Sequence, residues 1–95
     1  MALNRILADP SYLRSLKKYS DTEISEIRTA VTQLPNVFGK PHIHAGLGIR
    51  KLGKKIFELR SGLKVRVLFT PYSGGFVLLF AGNHDQVLAW LKENA

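Results

Sequence analysis

The sequence predicts an α+β domain: an N-terminal α-hairpin packed on a small, mostly antiparallel β-sheet, with a C-terminal helix. Three observations predict it. The hydrophobic period is near 3.6 over the first third of the chain and changes to 2 after residue 48. Pro35, Gly39, Pro41, Gly46 and Gly48 cluster where the period changes. A third helix-start signal, Asn83 with Gln86, follows the last apolar run. Residues 1–95 amount to one domain of 10.6 kDa, too short for a second core.

Residues 2–7 read as a short first strand. Asp9-Pro10 starts a helix, with Asp9 as N-cap and Pro10 at the first helical position. Leu13 and Leu16 fall on one side of it, and it ends near Tyr19. Ser20-Asp21-Thr22-Glu23 is a capping box, serine first and glutamate three later. The helix that follows aligns Ile24, Ile27, Val31 and Leu34 in one stripe, and Pro35 stops it. Almost no loop separates the two helices, so they pair as a hairpin. Residues 35–48 are irregular.

Residues 49–52 start a strand and 55–60 make a clearer one. Leu63, Val65, Val67 and Phe69 then alternate with Lys64, Arg66, Leu68 and Thr70, giving one apolar face and one that begins with two cations. Ser61-Gly62 and Pro71-Tyr72-Ser73-Gly74-Gly75 are the turns on either side. Phe76–Ala81 is apolar on both faces, as in a strand covered on both sides. The last helix buries Val87, Trp90 and Leu91; Phe76, Phe80 and Trp90 read as core rather than as base-stacking platforms. Helices on one face of the sheet leave the face with Lys64 and Arg66 open.

Composition excludes several classes. Hydrophobic residues are 45% and charged residues 22%, the balance of a soluble globular domain and not of a disordered one. Without cysteine there is no disulfide framework and no thiolate metal site. No apolar run approaches the roughly 18–20 residues of a membrane span, and the first residues lack the apolar region of a signal peptide. A cytoplasmic location is the expectation.

The charge is concentrated. The net formal charge is +7, and residues 40–66 account for all of it: Lys40, Arg50, Lys51, Lys54, Lys55, Arg60, Lys64 and Arg66 stand against Glu58 alone. Cations at this density repel one another unless a polyanion compensates them, and nucleic acid is the commonest one. A merely solvated basic face is the alternative. Membrane-surface binding fits less well, because its usual vehicle is an amphipathic helix and this segment reads as strands.

Two histidine motifs require weighing. Gly82-Asn83-His84-Asp85 matches a short metallophosphoesterase signature, but the further Asp and His ligands such enzymes need are missing. The helix-start reading accounts for it: Asn83 caps, Asp85 opposes the helix dipole, and His84 sits in the first turn beside backbone N–H groups. His42 and His44, with His84, supply three imidazoles for a metal. No carboxylate lies near the pair and the surrounding cations repel a divalent ion, so local hydrogen bonding or a place beside a nucleic-acid groove is the preferred reading. No Ser-His-Asp arrangement and no phosphate-loop motif are present.

Several stretches together carry a resemblance. They are Gly48-Ile49-Arg50-Lys51-Leu52, Ile56-Phe57-Glu58-Leu59-Arg60-Ser61-Gly62, Val65-Arg66-Val67-Leu68-Phe69, and an apolar strand ending in Gly82 before a helix. In order and spacing the chain resembles the RelE/ParE superfamily of bacterial type II toxins over nearly its whole length. The resemblance implies a single RelE/ParE-like domain and, in the RelE branch, a ribosome-dependent endoribonuclease (mRNA interferase) that inhibits translation without a metal or other cofactor. There the ribose 2′-OH attacks the adjacent phosphate, which calls for a base, positive charge for the phosphorane, and an acid for the leaving oxygen.

Carried onto this sequence, Arg66 matches the arginine at the scissile phosphate. Arg60, Lys55 and Lys54 match further cations of the preceding strand. His84 stands where relatives have an arginine, or a histidine that serves as acid or base. Arg50, Lys51, Lys54 and Lys64 are the candidate RNA-binding residues, and Arg66, His84, Arg60 and Lys55 the catalytic ones. Two departures stand out: Glu58 occupies a position where a ribosome-dependent nuclease of the family can have lysine, and the C-terminal catalytic tyrosine of some members has no counterpart after Tyr72. The alternatives are a ParE-like gyrase inhibitor that acts by binding, or a non-toxic relative that only binds an antitoxin or nucleic acid. The implied partners are the ribosome with its message and a small acidic antitoxin, in a hetero-oligomer, with no membrane involved.

Overall fold

The computed structural model describes residues 5–39 and 48–94. Lys40, His42 and His44 lie outside them. The order is β1 (Arg5–Ala8), α1 (Pro10–Ser15) with a 3₁₀ turn (Leu16–Lys18), α2 (Asp21–Thr32), α3 (Leu34–Val37), β2 (Arg50–Lys51), β3 (Phe57–Ser61), β4 (Val65–Tyr72), β5 (Gly75–Gly82) and α4 (His84–Asn94). The strands form one sheet in the order β1-β5-β4-β3-β2, antiparallel except for the outer pair β1–β5, which is parallel.

All three helix-start signals operate. The Asp9 carboxylate accepts the Ser11 N–H and Ser11 hydroxyl, at 3.0 and 2.7 Å, and these bonds lower its pKa below the usual aspartate value. Ser20 and Glu23 exchange the two bonds of a capping box, and Asn83 and Gln86 do the same at 2.8 and 2.9 Å. The Pro35 expectation is corrected. Gln33 caps α2, and Pro35 sits in the first turn of α3, where its missing N–H costs nothing, so the chain adds a further helical turn before leaving the hairpin.

Ile27, Val31 and Leu34 pack on Leu59, Val67, Phe69, Phe76, Leu78 and Ala81 of the sheet, and Tyr12 joins them from α1. Phe38 closes this core with its ring edge-on to Phe57, Phe69 and Phe76, at centroid separations of 5.0, 5.9 and 5.3 Å.

The helices do not share one face, as the sequence reading had them. Leu68 pairs with Phe80 on the side opposite this core, Phe80 stacks on Trp90 at 6.0 Å, and Leu68 and Val87 are buried there. So α4 lies across the second face. A β-bulge makes this possible. Phe69 pairs with Leu78 but Leu68 pairs with Phe80, which leaves Leu79 as an extra residue. Past it the alternation is inverted: Ala81 faces the main core and Phe80 faces α4.

β1 stops alongside Leu78, and side chains of the first helical segment take over its role. Ser11 donates to the Leu79 carbonyl, Ser15 accepts the Ala81 N–H at 2.9 Å, and Lys18 Nζ donates to the Ala81 carbonyl at 2.7 Å. Their spacing of four and three places them on one helical face. The Lys18 ammonium also lies 4.9 Å from the Tyr19 ring and 5.0 Å from that of Phe80, and burial lowers its pKa. Among the described residues no helix is long and apolar enough to cross a membrane.

Candidate functional site

The sheet face shared with α4 gathers the arginines. Register fixes this without reference to rotamers: Arg50 pairs with Glu58 across β2–β3, Arg60 with Arg66 across β3–β4, and Arg66 with Gly82 across β4–β5. Residues directly opposite share a face, and on β3 and β4 these positions alternate with the core residues Leu59 and Val67. The first helical residue of α4, His84, follows Gly82 by two positions and is exposed at the same end of the sheet.

Glu58 organises the group. It is 1% exposed, and each of its oxygens meets a different arginine. Arg50 Nε donates to Oε2 at 2.8 Å. Arg66 Nε lies 3.0 Å from Oε1, a distance of strong Coulomb attraction, although the N–H is not aimed along it and Nε is buried without a hydrogen-bonded acceptor. Arg50 is 59% exposed and Arg66 15%, so one arginine reaches into solvent while the other lies in the sheet surface.

Arg60 is exposed beside them and is held by packing. Gly48, at φ +71°, lies so close that a Cβ there would meet Arg60 Cβ, Cγ and Cδ at 3.1 Å each. Gly48 is thus needed twice, for its left-handed backbone and for its lack of a side chain. Three guanidiniums against one carboxylate leave this face positive.

The other candidates are placed elsewhere. Lys51 pairs with Phe57, on the opposite parity from Arg50. Lys54 and Lys55 do not lie within β3 but precede it, exposed in the β2–β3 connection, at the far end of the strands from Arg66 and His84. Lys64 is not a strand residue alternating with Arg66. It stands in the β3–β4 turn and lines grooves with Glu23 and Glu26 of α2. Hydrogen bonds from Ser20 lower the Glu23 pKa, with Lys64 adding a smaller effect. Of the four catalytic candidates, then, Arg60 and Arg66 share a face, His84 starts α4 at the same end of the sheet, and Lys55 lies at the other end. The sequence reading treated Glu58 and Gly48 as a departure and a turn. The pointer to Glu58 was available, since it is the lone carboxylate in a segment, residues 40–66, that carries eight cations.

No family model matches the sequence, and no curated protein does. Solved structures do match. YafQ from E. coli superposes with a TM-score of 0.69 at 11% identity, over 88% of this chain and 97% of that one. The archaeal RelE of a RelE–RelB complex from Pyrococcus horikoshii gives 0.67 at 13% identity, over 85% and 94%. The YoeB–YefM complex from Staphylococcus aureus gives 0.58 at 14% identity, over 84% and 95%. At these identities the likeness is one of fold, and it extends over nearly the full length on both sides. With an α-hairpin on one side of a five-stranded sheet and a C-terminal helix on the other, the chain has the fold of these RelE, YafQ and YoeB toxin structures.

Proposed function

We propose that this chain is the toxin of a toxin–antitoxin pair and that it cleaves messenger RNA on the ribosome without a metal. The observation that carries the reading is the Arg60–Arg66 pair, two like charges directly opposite each other on the sheet face that α4 only partly covers, with His84 at the same end. Like charges in that position destabilise a sheet, and a bound phosphate removes the penalty.

In this reading Arg66 and Arg60 contact the non-bridging oxygens of the scissile phosphate. The 2′-oxygen forms a bond to phosphorus, the bond from phosphorus to the 5′-oxygen breaks, and the products are a 2′,3′-cyclic phosphate and a 5′-hydroxyl. The arginines neutralise the charge that accumulates on the phosphorane. His84 handles one proton, taking it from the 2′-hydroxyl or giving it to the leaving oxygen, and water carries the other. Arg50, Lys54 and Lys55 contact neighbouring phosphates along the strand. An acidic antitoxin covers the positive face and supplies the compensating charge when no RNA is bound.

The test is cell-free translation with mapping of transcript ends. Ribosome-dependent cuts that disappear in Arg66→Ala support the reading. Intact transcripts with gyrase-dependent DNA breaks would assign the chain to binding inhibition instead.

A further inference from the structure

We infer that Glu58 is a positioning residue that holds Arg66 and Arg50 in place for an incoming RNA phosphate; the inference rests on the ribonuclease reading. The carboxylate sits on the middle strand, between an arginine on each neighbouring strand, and spends one oxygen on the Nε of each. A guanidinium held at Nε keeps its Nη nitrogens for another partner. Among the described residues, neither the Arg66 Nη atoms nor those of Arg50 make a hydrogen bond. Two donor forks are therefore anchored through one buried acid and left free at their outer ends, the geometry that planar recognition of a phosphate uses.

The same contacts exclude a different role. Both Glu58 oxygens face a guanidinium nitrogen within 3.0 Å, and the residue is 1% exposed. Buried in this way it is closed to a ribose hydroxyl, so it does not act as the base. It also differs from a structural ion pair, which uses up both partners. Here each arginine is only partly consumed, and the group as a whole stays cationic.

The experiment has two arms on the full chain and its Glu58→Gln variant. The first is nitrogen-15 NMR of the arginine Nε–H groups. The Arg66 signal is expected to be restricted and slow to exchange in the wild type, and averaged and fast in Glu58→Gln. The second is single-turnover cleavage of ribosome-bound message. There kcat is expected to fall about 100-fold, the loss that displacing a reacting contact by an ångström produces, with KM within a few-fold.

An unchanged Arg66 signal overturns the proposal, as does an altered signal with wild-type cleavage. If the wild type leaves RNA intact, the ribonuclease reading fails, while the NMR arm still decides whether Glu58 holds Arg66. Should Glu58→Gln not fold, Glu58→Asp retains the charge but withdraws it by one methylene. It is expected to loosen the Arg66 signal partially, and an Arg66 signal identical to wild type in that variant counts against the proposal.

Discussion

Arg60 and Arg66 stand directly opposite each other across the β3–β4 ladder, on the face that α4 does not fully cover. A cross-strand pair of like charges costs stability, and of the two only Arg66 forms an ion pair among the described residues. Arg60→Ala is therefore expected to leave the unfolding midpoint unchanged or raise it, by up to about 1 kcal/mol. Cleavage should fall all the same. Urea denaturation beside a transcript-cleavage assay separates the two effects; a large loss of stability would mean that Arg60 is a structural residue.

Gly48→Ala combines two penalties. The left-handed backbone disfavours any Cβ by about 1–2 kcal/mol, and the added methyl meets the Arg60 stem at 3.1 Å. The expected result is a destabilisation of that order together with a displaced Arg60, read by urea denaturation and by RNA binding at low salt. Gly53→Ala serves as the control, because a Cβ there meets nothing within 4 Å and its φ is not left-handed.

Ser15→Ala removes the acceptor of the Ala81 N–H, a buried amide on the stretch of β5 that β1 does not reach. An orphaned buried donor costs about 1–3 kcal/mol. Hydrogen exchange should locate the effect, with the Ala81 amide exchanging faster than its neighbours on β5.

Stability should fall at both ends of the pH scale. The Asp9 and Glu23 carboxylates have lowered pKa values because Ser11 and Ser20, respectively, hydrogen-bond to them, so their contribution is present above their ordinary values of 3.8 and 4.5 and is lost as pH falls through the folded ones. Asp9→Asn and Glu23→Gln keep the caps and should flatten the acid limb. Burial raises the pKa values of Tyr12 and Tyr19, whose contribution is therefore intact below the ordinary 10.0 and lost as pH rises above it. Unfolding midpoints measured across pH check both limbs.

What was legible in the sequence was local. The caps at Asp9, Ser20 and Asn83 were readable because each is a contact between residues two or three apart. So was the alternation of Val65, Val67 and Phe69, which the buried face imposes on a single strand. What escaped depends on pairing. Phe76 and Phe80 are four apart and look alike, yet they face opposite sides, because the extra residue at Leu79 exists only relative to β4. Lys64 and Arg66 alternate on paper, but β4 begins at Val65, which leaves Lys64 to the turn and to Glu23. Within the site, the arginine face was visible as a density of charge. The acid that organises it was not, since its role follows from the ladder that places Arg50 and Arg66 on either side.

The extra residue at Leu79 ties two layers to a single count. Drawing it into regular pairing would flip every position beyond Leu78, swing the Phe80 ring under the hairpin and turn Ala81 toward α4, emptying the slot against Trp90. Neither helical layer can therefore be re-registered without uprooting the other.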